Sequence, residues 1–132
     1  MRVKLIIEKS GKDYVGRVEN PDFMPVSSAS SLAELKEDIK SQIREHQQLD
    51  EPDSWANVDV DALEFEQVHD LAALFARFDY LKVSNVAEKA GMSPSLLRQY
   101  VIGIKYPSAI QARKITDAIK QIAEELSDAV AI

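Results

Sequence analysis

The chain has 132 residues, of which 45% are apolar, and a formal net charge of −6. That length holds one modest domain or two small ones, and the apolar share is that of a globular chain rather than a disordered one. No apolar run nears the roughly 20 residues of a membrane span, and Met1 leads straight into an alternating pattern, so no signal peptide is expected. The absence of cysteine excludes disulfides and thiolate zinc sites and fits a cytoplasmic location.

In chain order, residues 2–8 alternate with Val3, Leu5 and Ile7 on one face, Ile6 being an exception, and predict a strand. Ser10-Gly11-Lys12-Asp13 is a turn, and residues 14–18 form a second strand, so the pair is a hairpin. Asn20-Pro21-Asp22 breaks it. Residues 23–29 form a third strand that belongs at an edge or is irregular at Pro25, which lacks a donor. Ser31 and Glu34 have capping-box spacing. The stripe Leu32, Leu35, Ile39, Ile43 then predicts a helix to about Gln47 that covers one sheet face. Residues 49–61, rich in Asp and interrupted by Pro52, read as a loop or linker, with Trp55 packing into a core. Residues 62–68 read as a short strand that could complete the sheet. Leu71, Leu74, Phe75 and Phe78 predict a helix over 70–79. The fold class is α+β. Its parts are an α/β domain at 1–48, completed by strand 62–68, a linker at 49–69, and an all-α domain at 70–132.

Residues 83–107 carry the most specific pattern, that of a helix-turn-helix. Ser84 is a candidate N-cap of a short helix with Val86, Ala87 and Ala90 on its inner side. Gly91 stands where that helix must end in a left-handed residue, and Met92 is an apolar plug in the turn. Ser93-Pro94 starts the next helix, a capping hydroxyl followed by the ring that fits the first helical position. Leu96, Leu97 and Tyr100 or Val101 face inward, Ser95, Arg98 and Gln99 face outward, and Gly103 ends the helix. A helix so presented can enter the major groove, where Arg reads guanine and Gln reads adenine. A plain helical hairpin with solvated Arg and Gln is the alternative. Against it stand the small Ala87, the Ser-Pro start and the charge. Residues 82–114 hold six cations and one anion (+5), whereas residues 1–69 hold 8 cations and 15 anions (−7). Two surfaces with different partners are implied.

On this reading Arg98 and Gln99 are the base readers. Ser95 contacts a base or phosphate, and Ser93 with its neighbouring amides holds a phosphate. Lys105 and Tyr106 touch the DNA backbone, or Tyr106 packs on the last helix; Lys82 and Lys89 are secondary contacts. Ser108 and Gln111 have capping-box spacing at the start of that last helix. Its stripe is Ile110, Ile115, Ala118, Ile119, Ile122 and Leu126, and it runs longer than a compact unit needs.

No catalytic constellation is legible, and an enzyme is not expected. Glu8, Asp13, Glu19 and Asp22 flank turns rather than converging as two-metal hydrolysis requires. His46 and His69 are isolated and read as surface or cap histidines rather than metal ligands. There is no nucleophile elbow and no glycine-rich phosphate loop, so no metal or cofactor is expected.

The element order resembles the HicB-type antitoxins of bacterial type II toxin–antitoxin systems. The resemblance lies in KLIIEKSGKDYVGRVENPDF followed by SLAELKEDIKSQIREH, and in VAEKAGMSPSLLRQYVIGIKYPS, which is similar to the Cro and phage-repressor class of DNA-binding domain. It implies a degenerate ribonuclease-H-like sheet in the first half. It also implies an antitoxin that silences a small basic HicA-type RNA-cleaving toxin and, as a dimer, represses its operon by binding operator DNA. An acidic first half suits a basic partner. The pattern departs from the family at Met24-Pro25-Val26 and in the glycine-free stretch 27–31, on the edge implied to face the toxin. A homodimer or higher oligomer is expected, through the terminal helix or the edge of the N-terminal sheet.

Overall fold

A computed structural model describes residues 1–130 as two compact units, Met1–Val68 and the chain from His69 onward. Among these residues the class is α+β, with one four-stranded mixed sheet and five α-helices.

In the first unit, strands β1 (Arg2–Ser10) and β2 (Asp13–Arg17) form the expected hairpin around Gly11-Lys12, with Ser10 opposite Asp13. Gly11 has φ +60, which a side-chain-bearing residue would adopt only at a cost. Strand β3 (Val26–Ala29) pairs antiparallel with β2, and β4 (Glu64–His69) lies beside β1, giving the order β3-β2-β1-β4. β3 is thus an edge strand, and Pro25 stands just before it, where its missing donor costs nothing. The Pro25 carbonyl accepts from Val18 N–H at 3.1 Å.

The Val26 N–H and carbonyl turn away from β2 and are both taken by the Gln42 side-chain amide, at 3.1 and 2.7 Å. Gln42 belongs to helix α1 (Leu32–Gln47), whose buried residues Leu35, Ile39 and Ile43 lie on the sheet. Helix and sheet come so close that a Cβ on Gly16 would stand 2.7 Å from Leu35 Cδ2. Ser31 caps α1 by accepting from Glu34 N–H, but the reciprocal half of the expected box differs: Glu34 accepts from the Ser30 hydroxyl.

Residues 49–61 are not a linker. Trp55, Val60 and Leu63 are buried in the same core as Leu5, Ile7 and α1. The apolar area of Trp55 outweighs the polar character of its neighbours, and side chains hold the loop down. Trp55 Nε1 donates to the Phe23 carbonyl at 3.0 Å, and Gln47 Nε2 donates to the Trp55 and Val58 carbonyls at 2.8 Å each. The Asp22 carboxylate accepts from the Ser54 hydroxyl at 2.6 Å and from its N–H at 3.0 Å. His46, expected at the surface or at a cap, instead stacks on Phe23 with ring centroids 4.4 Å apart and meets Asp53 at 2.6 Å.

The second unit is all-helical: α2 (Ala72–Arg77), α3 (Val83–Ala90), α4 (Pro94–Val101) and α5 (Ala109–Ala129). Its core is Phe75, Val86, Ala87, Leu97, Tyr100, Ile115 and Ala118. Two members of the predicted α5 stripe are outside it, Ile110 at 74% exposure and Leu126 at 61%. The core covers only the middle of this long helix.

The hydrogen bond from His46 holds the Asp53 carboxyl below its ordinary value of 3.8, and Ser54 does the same for Asp22. A lowered folded-state pKa gives stability that is complete above the ordinary value and is lost as pH falls through the folded one. Urea unfolding followed by the single Trp55 fluorophore is therefore expected to show stability falling on acidification below about pH 5, with a shallower fall in Asp53→Asn. An unchanged acid limb in the variant would contradict this account.

Candidate nucleic-acid interface

Helices α3 and α4 are joined by Gly91-Met92-Ser93, and backbone geometry fixes both ends of that turn. Gly91 has φ +70. Its N–H donates to Glu88 and the Met92 N–H reaches back to Ala87, the paired bonds of a Schellman cap. Ser93 then caps α4 by accepting from Leu96 N–H at 3.1 Å, with Pro94 in the first turn. The far end of α4 repeats the device. Gly103 has φ +79, its N–H donates to Tyr100, and the Ile104 N–H reaches Gln99.

The expected N-cap of α3 is corrected. Ser84 lies inside the helix, and Lys82 occupies the cap position without a side-chain bond. The helix starts early because the Lys82 carbonyl already accepts from Asn85 and Val86 N–H. Val86 and Ala87 are fully buried in the core that α3 shares with α4 and α5.

On α4, Leu97 and Tyr100 are buried, while Ser95 and Arg98 are exposed as expected. With Ile102, which is 66% exposed, they form one outward face at i, i+3 and i+7. The periodicity reading overlooked Ile102. Its signal is an apolar residue out of phase with the inner stripe, directly before Gly103; such a side chain can contact a thymine methyl. Gln99 is a partial correction. It lies at the margin of this face, but it is half-buried and its Oε1 is shielded from solvent without a hydrogen-bond partner. Reading adenine would require the amide to swing outward.

The expected cations divide into two groups. Lys82 and Lys105 are exposed, as are Arg113 and Lys114. Lys89 is committed elsewhere, since its ammonium meets Glu125 of α5 at 2.8 Å. Tyr106 is half-buried. Burial lowers the pKa of His69, which disfavours its cationic form, and its backbone N–H donates to the Pro107 carbonyl at 2.9 Å. Ser108 caps α5 by accepting from Gln111 N–H, but Gln111 Oε1 has no partner, so that predicted capping box is only half formed.

Chemically, the arrangement presents one guanidinium, two hydroxyls and an isoleucine on a rigid helix, with Lys82 and Lys105 exposed on the segments before α3 and after α4. Such a set can grip a polyanion and read one or two base edges. The first unit offers no comparable constellation. Arg17 ties Glu8 at 3.9 Å and Glu19 at 3.4 Å, and among the described residues no group of three or more His, Asp or Glu could hold a metal ion. No family model, curated protein or solved structure matches the chain.

The turn allows a simple check. A Cβ on Gly91 would meet nothing within 4 Å, so any penalty comes from its left-handed backbone alone. Gly91→Ala is expected to lower the second unit's stability by about 1 kcal/mol, measured by thermal melting of helical circular dichroism. A neutral result would mean that the turn does not hold this backbone in solution.

Proposed function

We propose that the second unit is a helix-turn-helix module that binds operator DNA, with α4 as the recognition helix. The observation carrying this reading is the capped α3-turn-α4 pair, which buries Leu97 and Tyr100 and leaves Ser95, Arg98 and Ile102 facing out. Arg98 donates to a guanine edge. The amides at the capped start of α4, with Ser93, hold a phosphate, and Lys82 and Lys105 add backbone contacts. Gln99 contributes only after its amide turns outward.

For the whole chain we propose the role of an autorepressing antitoxin of the HicB type. Two features support it: the order of three strands, a covering helix and a fourth strand beside β1, and the −7 balance of residues 1–69. In this role the acidic first unit engages a small basic RNA-cleaving toxin, and the second unit represses the operon. A regulator with no toxin partner is the second reading, favoured by the departure at Met24-Pro25-Val26, where Met24 and Val26 are exposed.

Fluorescence anisotropy with DNA from upstream of the chain's own reading frame tests the first proposal. Arg98→Ala is expected to cost about 1–3 kcal/mol on the specific site and to relax preference at one base position, whereas Lys105→Ala weakens all sequences alike and lowers the salt slope by about one. Equal loss on all sequences for Arg98→Ala would make it a phosphate contact. Co-purification of the full chain from its native host tests the second proposal. A small basic protein in stoichiometric amount is the expected companion; its absence favours the regulator without a toxin.

A further inference from the structure

The outward face of α4 ends on a side chain that serves no packing role. Ile102 stands at the C-cap of α4 with a helical backbone, and its N–H donates to the Arg98 carbonyl at 3.0 Å. Its side chain is 66% exposed and lies one turn beyond Arg98 on the same side of the helix. Isoleucine is a modest helix former, so the helix gains nothing from it here. Ile104 is also exposed, but Gly103 at φ +79 has by then turned the chain off the helical track. A branched side chain is stiff at χ1, so fixing Ile102 against a ligand costs less ordering than fixing a lysine would. The surroundings are cationic: Arg98 and Lys105 are both exposed. An apolar tip among cations suits a ligand that is anionic outside and apolar within. The major groove at a thymine has this character, with phosphates on its rims and the C5 methyl group projecting from its floor.

We propose that Ile102 reads the C5 methyl group of a pyrimidine near the guanine that Arg98 contacts, so that binding responds to the methylation state of the site. The inference rests on the DNA reading of α4 and names what one more of its side chains recognises. With α4 lying along the groove, Arg98 and Ile102 are about 6 Å apart on the helix axis, and base pairs stack about 3.4 Å apart. The two side chains therefore address bases about two steps from each other. Ile102 makes no hydrogen bond and cannot sort base pairs by their donors and acceptors. It gains only where a methyl group meets it, and over adenine or cytosine it would cover an amino group without accepting from it. The contact is blind to which pyrimidine carries the methyl group. A cytosine at this position is therefore a poor substitute for thymine, and C5 methylation of that cytosine restores the apolar contact.

A cycle of protein and DNA changes tests it, by anisotropy of the full chain on duplex DNA from upstream of its own reading frame. Thymines are replaced by uracil one at a time. At one position the loss of the methyl group is expected to weaken the wild-type chain by about fourfold, the value of one buried methyl group. Cytosine at that position, paired with guanine, is expected to bind more weakly than 5-methylcytosine by about the same factor. Ile102→Ala is expected to bind thymine and uracil alike, and cytosine and 5-methylcytosine alike. Its salt slope is expected to stay that of the wild type, since no phosphate contact is lost. Its helical circular dichroism is expected to be unchanged, because Ile102 lies outside the core. Wild-type binding indifferent to uracil at every position would overturn this inference and leave the DNA reading standing. So would an Ile102→Ala chain that still tells thymine from uracil, which would assign the methyl contact to another side chain. No binding to the unmodified duplex would overturn the DNA reading and this inference with it.

Discussion

The outward face of α4 exists because two glycines take a backbone that other residues resist. Gly91 and Gly103 sit at φ +70 and +79 and close α3 and α4 with the same pair of backbone bonds. The first closure ends α3 after eight residues and turns the chain at once, so Ser93 can begin α4. The second ends α4 before its exposed stripe could wind round into the core. Between them, Leu97 and Tyr100 anchor the helix in the core. Remove either glycine's geometry and Arg98 loses its fixed bearing, whatever it touches.

The first unit solves a different problem with different means. Its long segment between α1 and β4 has no regular structure around Trp55, yet that side chain is fully buried. An irregular segment must still satisfy its backbone, and here side chains do so in place of a ladder. Gln47 reaches two carbonyls, Asp53 receives the Trp55 N–H, and Asp22 receives that of Ser54. The Asp22 and Asp53 carboxylates are thereby engaged by hydrogen bonds from their own unit. The acidity of this half is thus partly architectural and not all available to a partner.

What could be read from the sequence follows the range of the forces involved. Hairpin, α1 stripe, the two glycine stops and the Ser93 cap are local, and periodicity or a single residue type specifies each. The fourth strand was also legible, since Leu63 and Phe65 alternate. Misreadings arose where a distant contact decides. Ser84 looks like a cap, but the Lys82 carbonyl is already engaged two residues earlier. Residues 49–61 look like a linker because their composition is polar, while one Trp and a set of long-range hydrogen bonds draw them into the core. His46 has no sequence neighbour that announces Phe23 and Asp53 as its companions. Gln99 lies at the correct helical angle, and only the packed molecule shows its carbonyl oxygen turned inward.

Gln42 has a bearing on solubility. A sheet border normally offers its unpaired amides to any extended chain that drifts by, the first step of fibril growth. Here a side-chain amide imitates a neighbouring peptide unit and occupies both groups of Val26, while the imide nitrogen of Pro25 has nothing to offer. By the two-residue alternation of a strand, Ser28 is the next site facing outward, which leaves a foothold one residue wide. The border is sealed by shape and hydrogen bonding rather than by repelling charge, so it should resist templated stacking even at ionic strengths that silence electrostatic defences.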